Sequence, residues 1–393
     1  MILVGIDVGK LEHAFCAIDR ASGDILAGPA KFKNTSEGFE FLLGSIPRAS
    51  KKDVLIGMED TGHYHLALLK YLTDRRYSVA LINPVATNLT RKIQGGITKT
   101  DSLDTLTICD VLASSQRRKA YRISRIDSFD LYEQKMLTRR HHDLKEDKCR
   151  LLNKLQKSID VVFPEYNGLF KTKYSKAYVN ILKRFPTAQA VAHADIRSIR
   201  KCFANGRGSH IELTAERLKE AAKNSVGIPF EAEAISIRNI LEQVELIDRQ
   251  IAEIDKKIGE YSAKTNSPIL SIPGISSFSG TSILAELGGI DNFDTASQVI
   301  KFAGVAPSTH ESGQFEAKHT SITKKGSKYL RKTLYQIILP VIRYNPVFDK
   351  YYRLKISQGK SHRCAQGHCI RKLLRVIFHL LKTGQTFDPA LLA

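Results

Sequence analysis

A chain of 393 residues with 42% hydrophobic residues and a net charge of +20 is too long for one ordinary core, so two to three domains are expected. No apolar run approaches the ~18 residues that cross a bilayer, and the N-terminus shows no signal-peptide pattern. Six scattered cysteines are too sparse for a disulfide framework, which favours a reducing, cytoplasmic setting.

The first 112 residues alternate strand and helix signals. Ile2–Val8 reads as a strand, His13–Ile18 as its hairpin partner after the Gly9 turn, and Asp24–Lys33 as a third strand. Val54–Met58 and Val79–Ile82 are short apolar runs of buried-strand type. Tyr64–Asp74 has helical spacing, Asn83-Pro84 opens another helix, and Asp101–Leu112 reads as a helix packed on the sheet. The expected product is a mixed α/β domain. Residues 119–262 read as mostly helical. Leu137, Leu144, Leu151, Leu155 and Ile159 form one near-heptad stripe; Ile237, Leu241, Val244, Ile247, Ile251, Ile254 and Ile258 form a cleaner one. The two stripes suit an antiparallel hairpin in one chain or a contact between chains. Between them, a segment holding Pro164, Pro186, Gly206 and Gly208 reads as inserted short helices and loops. Residues 263–393 form a third, mainly helical unit. There Pro273-Gly274 precedes the helical run Thr281–Leu287, as in helix-hairpin-helix elements that grip a phosphate on free amides, although Ser276 stands at the usual second glycine.

Charge is unevenly placed. Residues 1–112 hold 13 Lys/Arg and 13 Asp/Glu, so the whole excess of +20 lies in residues 113–393. That excess is the electrostatic footprint of a nucleic-acid binder. The neutral part carries four acids with a chemical message. Asp7 and Glu59 end apolar runs, and Asp101 and Asp104 are three apart on one helical face. Two strand-end carboxylates and a helical pair supply the hard oxygen ligands that Mg²⁺ takes, and two such ions about 3.5–4 Å apart clamp both oxygens of a phosphodiester exchange. Gly5-Ile6-Asp7-Val8-Gly9 also fits actin-like ATPases and sugar kinases. Those need an Asp-x-Gly-Gly-Gly loop that the chain does not contain. RNase H-like nucleases need later carboxylates, and these are present. The bland alternative, four solvated acids at element ends, requires a separate accident for each.

In order and spacing, Asp7, Glu59, Asp101 and Asp104 resemble the DEDD motif of insertion-sequence transposases related to the pilin-gene invertase Piv. The flanks agree: Met58-Glu59 before Thr61-Gly62-His63-Tyr64, and Lys99-Thr100-Asp101. So do Pro273-Gly274-Ile275, Gly304-Val305-Ala306-Pro307, Ser312-Gly313 and Lys325-Gly326 with Leu330-Arg331, which fall in the family's order. The resemblance implies an RNase H-like (RuvC-like) domain over residues 1–118, a helical coiled-coil region with an insertion over 119–262, and a transposase domain over 263–393. It implies Mg²⁺ on the four acids and a serine nucleophile at the position of Ser312. It further implies donor and target DNA, a guide (bridge) RNA, and dimers that join into a tetramer. Such a protein works in the prokaryotic cytoplasm at the nucleoid. Pro273, Gly274, Lys324, Lys325, Lys328, Arg331 and Lys332 are the expected nucleic-acid contacts. The alternative reading is a junction-resolving endonuclease that uses the acids and metal-activated water alone. His362, Cys364, His368 and Cys369 cluster, but their spacing matches no standard zinc pattern. His63 and His65 lie beside Glu59 and read as satisfied surface histidines, with a positioning role as the alternative.

Overall fold

The computed structural model describes residues 1–60, 62–93, 100–114, 121–124, 128–203, 213–308, 311–312, 315–316 and 321–392. Thr61, Lys99, Gly206, Gly208 and Gly313 lie outside the described residues. The chain divides into two compact units: Met1–Glu133 with Ile283–Lys328 and Phe348–Ala393, and Gln134–Ser282 with Tyr329–Val347.

The N-terminal part of the first unit is a six-stranded mixed sheet. Its strands are β1 (Ile2–Val8), β2 (Glu12–Asp19), β3 (Ile25–Lys33), β4 (Val54–Glu59), β5 (Ser78–Ile82) and β6 (Tyr121–Ser124), in the order β3-β2-β1-β4-β5-β6. β1 runs parallel to β4, and β4 to β5; the other pairs are antiparallel. Four helices belong to this part: α1 (Ser36–Ser45), α2 (Leu66–Asp74), α3 (Pro84–Ile93) and α4 (Asp101–Ser114). Strand alternation sorts the side chains. Val4, Ile6, Ile56, Met58 and Val79 share one core with Phe39 and Leu42 of α1 and Leu68, Leu69 and Leu72 of α2. Leu3, Cys16, Ile18, Leu55, Ala80 and Ile82 share the other with Ile108, Cys109, Val111 and Leu112 of α4. β5 is not the last strand, as the apolar runs alone suggest. Tyr121–Ser124 adds a sixth beside it, and four residues alternating with Arg122 and Ser124 are too short and polar to announce a strand.

Helix α4 lies against the sheet because two glycines make room for it. Gly5 and Gly57 are register partners on β1 and β4. A Cβ on Gly5 would overlap the carbonyl oxygen of Thr105 and stand 2.9 Å from Cys109 Sγ; one on Gly57 would stand 2.8 Å from Leu112 Cδ1. The Cys109 thiol is seated against β1 and β2, donating to the carbonyls of Cys16 (3.5 Å) and Leu3 (3.8 Å). Burial pushes it up to about 12, so it is a packing group and not a reactive thiol.

The second unit is helical. The stripes expected from heptad spacing fall on α5 (Ser128–Val162), whose first turns belong to the first unit, and on α11 (Glu231–Thr265). Between them run α6 (Tyr166–Leu169), α7 (Lys176–Arg184), α8 (Ala188–His193), α9 (Ile196–Phe203) and α10 (Ala215–Lys223). α5 and α11 pair with each other inside one chain, antiparallel. Leu144 packs with Ile247 and Ile251, and Leu155 and Ile159 share a core with Ile237 and Leu241. Lys148 pairs with Asp248 at 2.5 Å, and His141 with Asp255 at 3.3 Å. The inserted helices close over the far end of this hairpin, with Tyr166 and Tyr178 fully buried among them.

The remaining elements are α12 (Ser277–Leu287), α13 (Ala296–Phe302), the two-residue strands β7 (Glu311–Ser312) and β8 (Phe315–Glu316), α14 (Lys328–Tyr344), α15 (Pro346–Ser357) and α16 (His362–Thr383). In the second unit α14 is tied to α5 by buried polar contacts. His142 Nε2 lies 3.0 Å from Thr333 Oγ1, which lies 3.0 Å from Ser282 Oγ. Tyr329 Oη donates to Asp143 (3.0 Å). In the first unit α13 packs on α16. No helix among the described residues is long and apolar enough to cross a membrane.

Two outcomes are expected. Gly5→Ala drives a methyl into the backbone of α4 and costs roughly 1–3 kcal/mol, the usual range for overpacking. Gly44→Ala, in α1 with nothing within 4 Å of the added carbon, gains about 0.5–1 kcal/mol from helix propensity. Chemical denaturation of both variants checks the opposite signs. The second outcome concerns pH. Burial, with Lys332 and His141 adding, pushes His142 down to about 4. A lowered folded-state pKa favours the neutral ring, so this stabilisation is complete above the unfolded value near 6.5. It is lost as pH falls from 6.5 toward 4, at no more than about 1.4 kcal/mol per pH unit for one group. Melting curves across that window should fall more steeply for wild type than for His142→Asn.

Candidate metal and strand-exchange site

The four acids lie toward the same end of the first unit's two central strands, an end called the acidic edge below. Ile6 pairs with Met58 at the end of the parallel β1–β4 register, and Asp7 and Glu59 are the next residues of the two strands. Residues 3, 5 and 7 of β1 and 55, 57 and 59 of β4 share the face that carries α4, so both carboxylates project on that side. Seating α4 on Gly5 and Gly57 brings the helix's first turn, with Asp101 and Asp104, to the same edge. Asp104 is buried and Asp101 exposed.

Glu59, Asp104 and Asp101 each meet a side chain from a neighbouring element. Thr87 of α3 donates its hydroxyl to Glu59 Oε1. One turn further along α3, Arg91 pairs with Asp104 at 2.5 Å. Lys31 of β3 pairs with Asp101 at 2.6 Å. The strand register explains its reach: Lys31 is opposite Ala14, and Ala14 is opposite Asp7, so a small residue separates the lysine from the acidic edge. The Lys31 ammonium is held above its ordinary pKa by its hydrogen bond to Asp101 and by that residue's charge, with Glu12 and Asp7 adding.

The donor set is all carboxylate oxygen, the chemistry a hard divalent cation takes. In the present arrangement the acids face Lys31, Arg91 and Thr87. Among the described residues no group of three or more His, Cys, Asp or Glu is placed to hold a metal ion. This includes the cluster near residue 365, where Cys369 is buried and His362 Nδ1 lies 2.6 Å from Tyr352 Oη. His65 is fully buried, contrary to its reading as a surface residue. Its Nε2 lies 3.3 Å from Tyr132 Oη, and that hydroxyl reaches Asp60 at 3.4 Å. A histidine one residue before a helix that packs on the sheet is carried inward with it.

Ser312 is carried by a different element. It pairs with Phe315 across β7 and β8. The hairpin's base is fixed by a Pro307–Ile322 bridge, by the Ser308 N–H donating to Ser321 O (2.8 Å), and by the Thr323 N–H donating to Ala306 O (2.9 Å). Lys324, Lys325 and Lys328 follow it, all exposed. In the second unit, Lys332 on α14 is engaged by Glu146 at 2.7 Å, while Arg331 is half-buried. Gly274, at φ 96°, lies against α14, where a Cβ would stand 2.6 Å from Val341 N. Its conformation and close approach therefore have a packing cause. Ser276, the departure from the helix-hairpin-helix pattern, forms a reciprocal cap on α12: its N–H donates to Ser279 Oγ (2.8 Å), and the Ser279 N–H to Ser276 Oγ (3.3 Å). Two amides that a phosphate would require are thus already used. Thr87, Arg91 and Lys31 are the site residues that sequence reading misses. The spacing Thr87–Arg91 on an amphipathic helix was the available signal.

A mixed sheet with acids at its strand ends, a serine on a hairpin and a strongly basic remainder are the features a DNA-processing enzyme would need. Comparison with known proteins specifies which. A DEDD transposase model of IS110 type matches residues 4–164, and one described as the transposase IS116/IS110/IS902 family matches residues 266–353. The chain is 24% identical to the insertion element IS116 uncharacterized 44.8 kDa protein of Streptomyces clavuligerus, over 99% of this chain and 96% of that protein. It is 22% identical to the insertion element IS900 uncharacterized 42 kDa protein of Mycobacterium paratuberculosis, over 99% and 98%. It is 28% identical to the pilin gene-inverting protein of Moraxella bovis over 155 residues, 39% of this chain and 48% of that one. The chain belongs to the DEDD transposases of the IS110/IS116 insertion sequences and is a DNA transposase related to the pilin-gene invertases.

Proposed function

We propose that this transposase cuts and rejoins DNA through two cooperating groups, the acidic edge and Ser312. The observation that supports the reading is the β1–β4 register together with the glycine-seated α4, which set Asp7, Glu59, Asp101 and Asp104 toward the same end of the strands. The strand order, with β1 flanked by antiparallel β2 and parallel β4, supports an RNase H-like reading of this domain. Mg²⁺ held by the four carboxylates would supply charge stabilisation to the phosphodiester and its leaving oxygen. The chain's own part is to bind, position and attack. Carboxylates fixed on rigid strand ends and a packed helix hold their geometry without reorganisation.

Ser312 is the nucleophile in this reading. Its Oγ forms a bond to phosphorus and gives up its proton, while a bond from phosphorus to a deoxyribose oxygen breaks and that oxygen takes a proton. The phosphoserine ester keeps the energy of the cut strand, so attack by a new DNA hydroxyl in the reverse sense restores a phosphodiester without a nucleotide cofactor. Lys324, Lys325 and Lys328 stand just beyond the hairpin as backbone contacts, with Arg331 and Lys332 further along α14; Pro273 and Gly274 shape the turn against that helix. The basic excess suits a structured guide RNA as well as donor and target DNA, because pairing would choose sequence while the protein holds backbone and shape. Because α5 and α11 satisfy each other within one chain, a dimer or tetramer would be built on other surfaces.

A mutant pair tests the acids. Asp7→Asn and Glu59→Gln should abolish cleavage of donor DNA while nucleic-acid binding in a gel-shift assay stays within about threefold of wild type, as expected when transition-state and not ground-state contacts are lost. Recombination at wild-type rate by either variant would sink the assignment. The serine is tested by denaturing electrophoresis. Wild type should leave labelled DNA attached to protein, and Ser312→Ala should leave none. Free cut ends without an attached species would favour the alternative, a junction-resolving endonuclease that activates water.

A further inference from the structure

Lys31 and Arg91 lie on elements that no catalytic motif includes, yet each ends on one of the four acids. Arg91 meets buried Asp104 at 2.5 Å and Lys31 meets exposed Asp101 at 2.6 Å. From these contacts we infer that Lys31 and Arg91 are exchange cations. They neutralise the acidic edge while no divalent ion is present, and they turn to the phosphates of the DNA strand once ions are bound. The inference rests on the metal reading of the acids given above.

The electrostatic case starts at Asp104. A buried carboxylate without a counter-charge is costly, and Arg91 supplies that charge in the metal-free protein. A divalent ion on the same carboxylates would outcompete one monovalent guanidinium and then repel it. Both released side chains belong at the acidic edge, where the reacting strand must pass. There a guanidinium matches a phosphate with two parallel N–H donors.

The mechanical case lies in α3. Thr87 is its one fully buried residue, while Val85, Leu89 and Ile93 are exposed at 62%, 55% and 86%. A buried aliphatic side chain contributes about 1.5–3 kcal/mol, and α3 has almost none of that anchoring. Apart from Ala86 and its packing beside α4, its hold includes the Thr87–Glu59 hydrogen bond and the Arg91–Asp104 pair. A helix attached in part by the ligands themselves is one that cation binding can loosen. Lys31 needs no such movement, since its pair with Asp101 is more than half exposed on both sides.

Calorimetric titration of the full chain with MgCl₂ alone tests this without any catalytic readout. Lys31→Met and Arg91→Met should each bind Mg²⁺ roughly three- to tenfold tighter than wild type, the effect of removing one competing charge at partial exposure. In saturating MgCl₂ both should bind a labelled DNA duplex more weakly, with the salt dependence flattened by about one contact. Arg91→Lys, which keeps the charge, should bind Mg²⁺ like wild type. Because Arg91→Met leaves Asp104 bare, its melting temperature should start lower and rise more on adding MgCl₂. Lys31→Met, at an exposed pair, gives the same affinity test with the fold untouched. Equal or weaker Mg²⁺ binding by both Met variants, with Asp7→Asn abolishing it, overturns the exchange and leaves the metal site standing. Wild-type Mg²⁺ binding that Asp7→Asn does not change removes the metal reading and the inference with it.

Discussion

The close approach of α4 to Gly5 and Gly57 is the contact on which the site depends. Two adjacent parallel strands give up their side chains at the same register level, and a helix drops into the gap until its carbonyl and its cysteine touch the strands. Because the seat is two residues along each strand from Asp7 and Glu59, lowering the helix also fixes the positions of Asp101 and Asp104. Packing and chemistry are therefore set by one constraint. Strand alternation aims the two strand acids, the glycine pair sets the height of the helix, and the i, i+3 spacing presents its two acids together.

The acids gathered this way repel one another, and the fold answers with charges from its margins. β3 contributes Lys31 across the small Ala14, and α3 contributes Thr87 and Arg91 one turn apart. Glu59, Asp101 and Asp104 are each met by one of these side chains, and the buried Asp104 receives the guanidinium. On the exchange proposed above, a site built like this would trade one set of cations for another. The second unit shows a different economy of polar groups. His142, Thr333 and Ser282 are buried together and bonded in a chain, which fixes α14 against α5 and holds a histidine neutral under a strongly basic surface.

Much of this was legible in the residues. Apolar runs of five ending in Asp7 and Glu59 announce buried parallel strands with acids at their tips, and the Ile/Val/Leu stripe of 237–258 announces a helix with one buried face. That its partner is the stripe of α5 in the same chain was not legible, because heptad spacing does not say which helix supplies the other side; the Lys148–Asp248 and His141–Asp255 pairs do. β6 was hidden because a four-residue strand with two polar members carries no period. His65 is buried against the expectation from its polarity because its position before an amphipathic helix outweighs that polarity. Lys31, Thr87 and Arg91 belong to no motif and become visible only when the register places them. Gly274 and Ser276 show the reverse case: residues with a binding signature that also have packing and capping causes.

The central claim is that this edge, as seated by Gly5 and Gly57, is a metal centre. Anomalous diffraction from crystals of the full chain grown with Mn²⁺ tests it most directly. The account predicts Mn²⁺ density bounded by the carboxylates of Asp7, Glu59 and Asp104, with the Arg91 guanidinium withdrawn from Asp104. Saturating Mn²⁺ with no density at that edge, or with Arg91 and Asp104 still paired beneath it, would contradict the account.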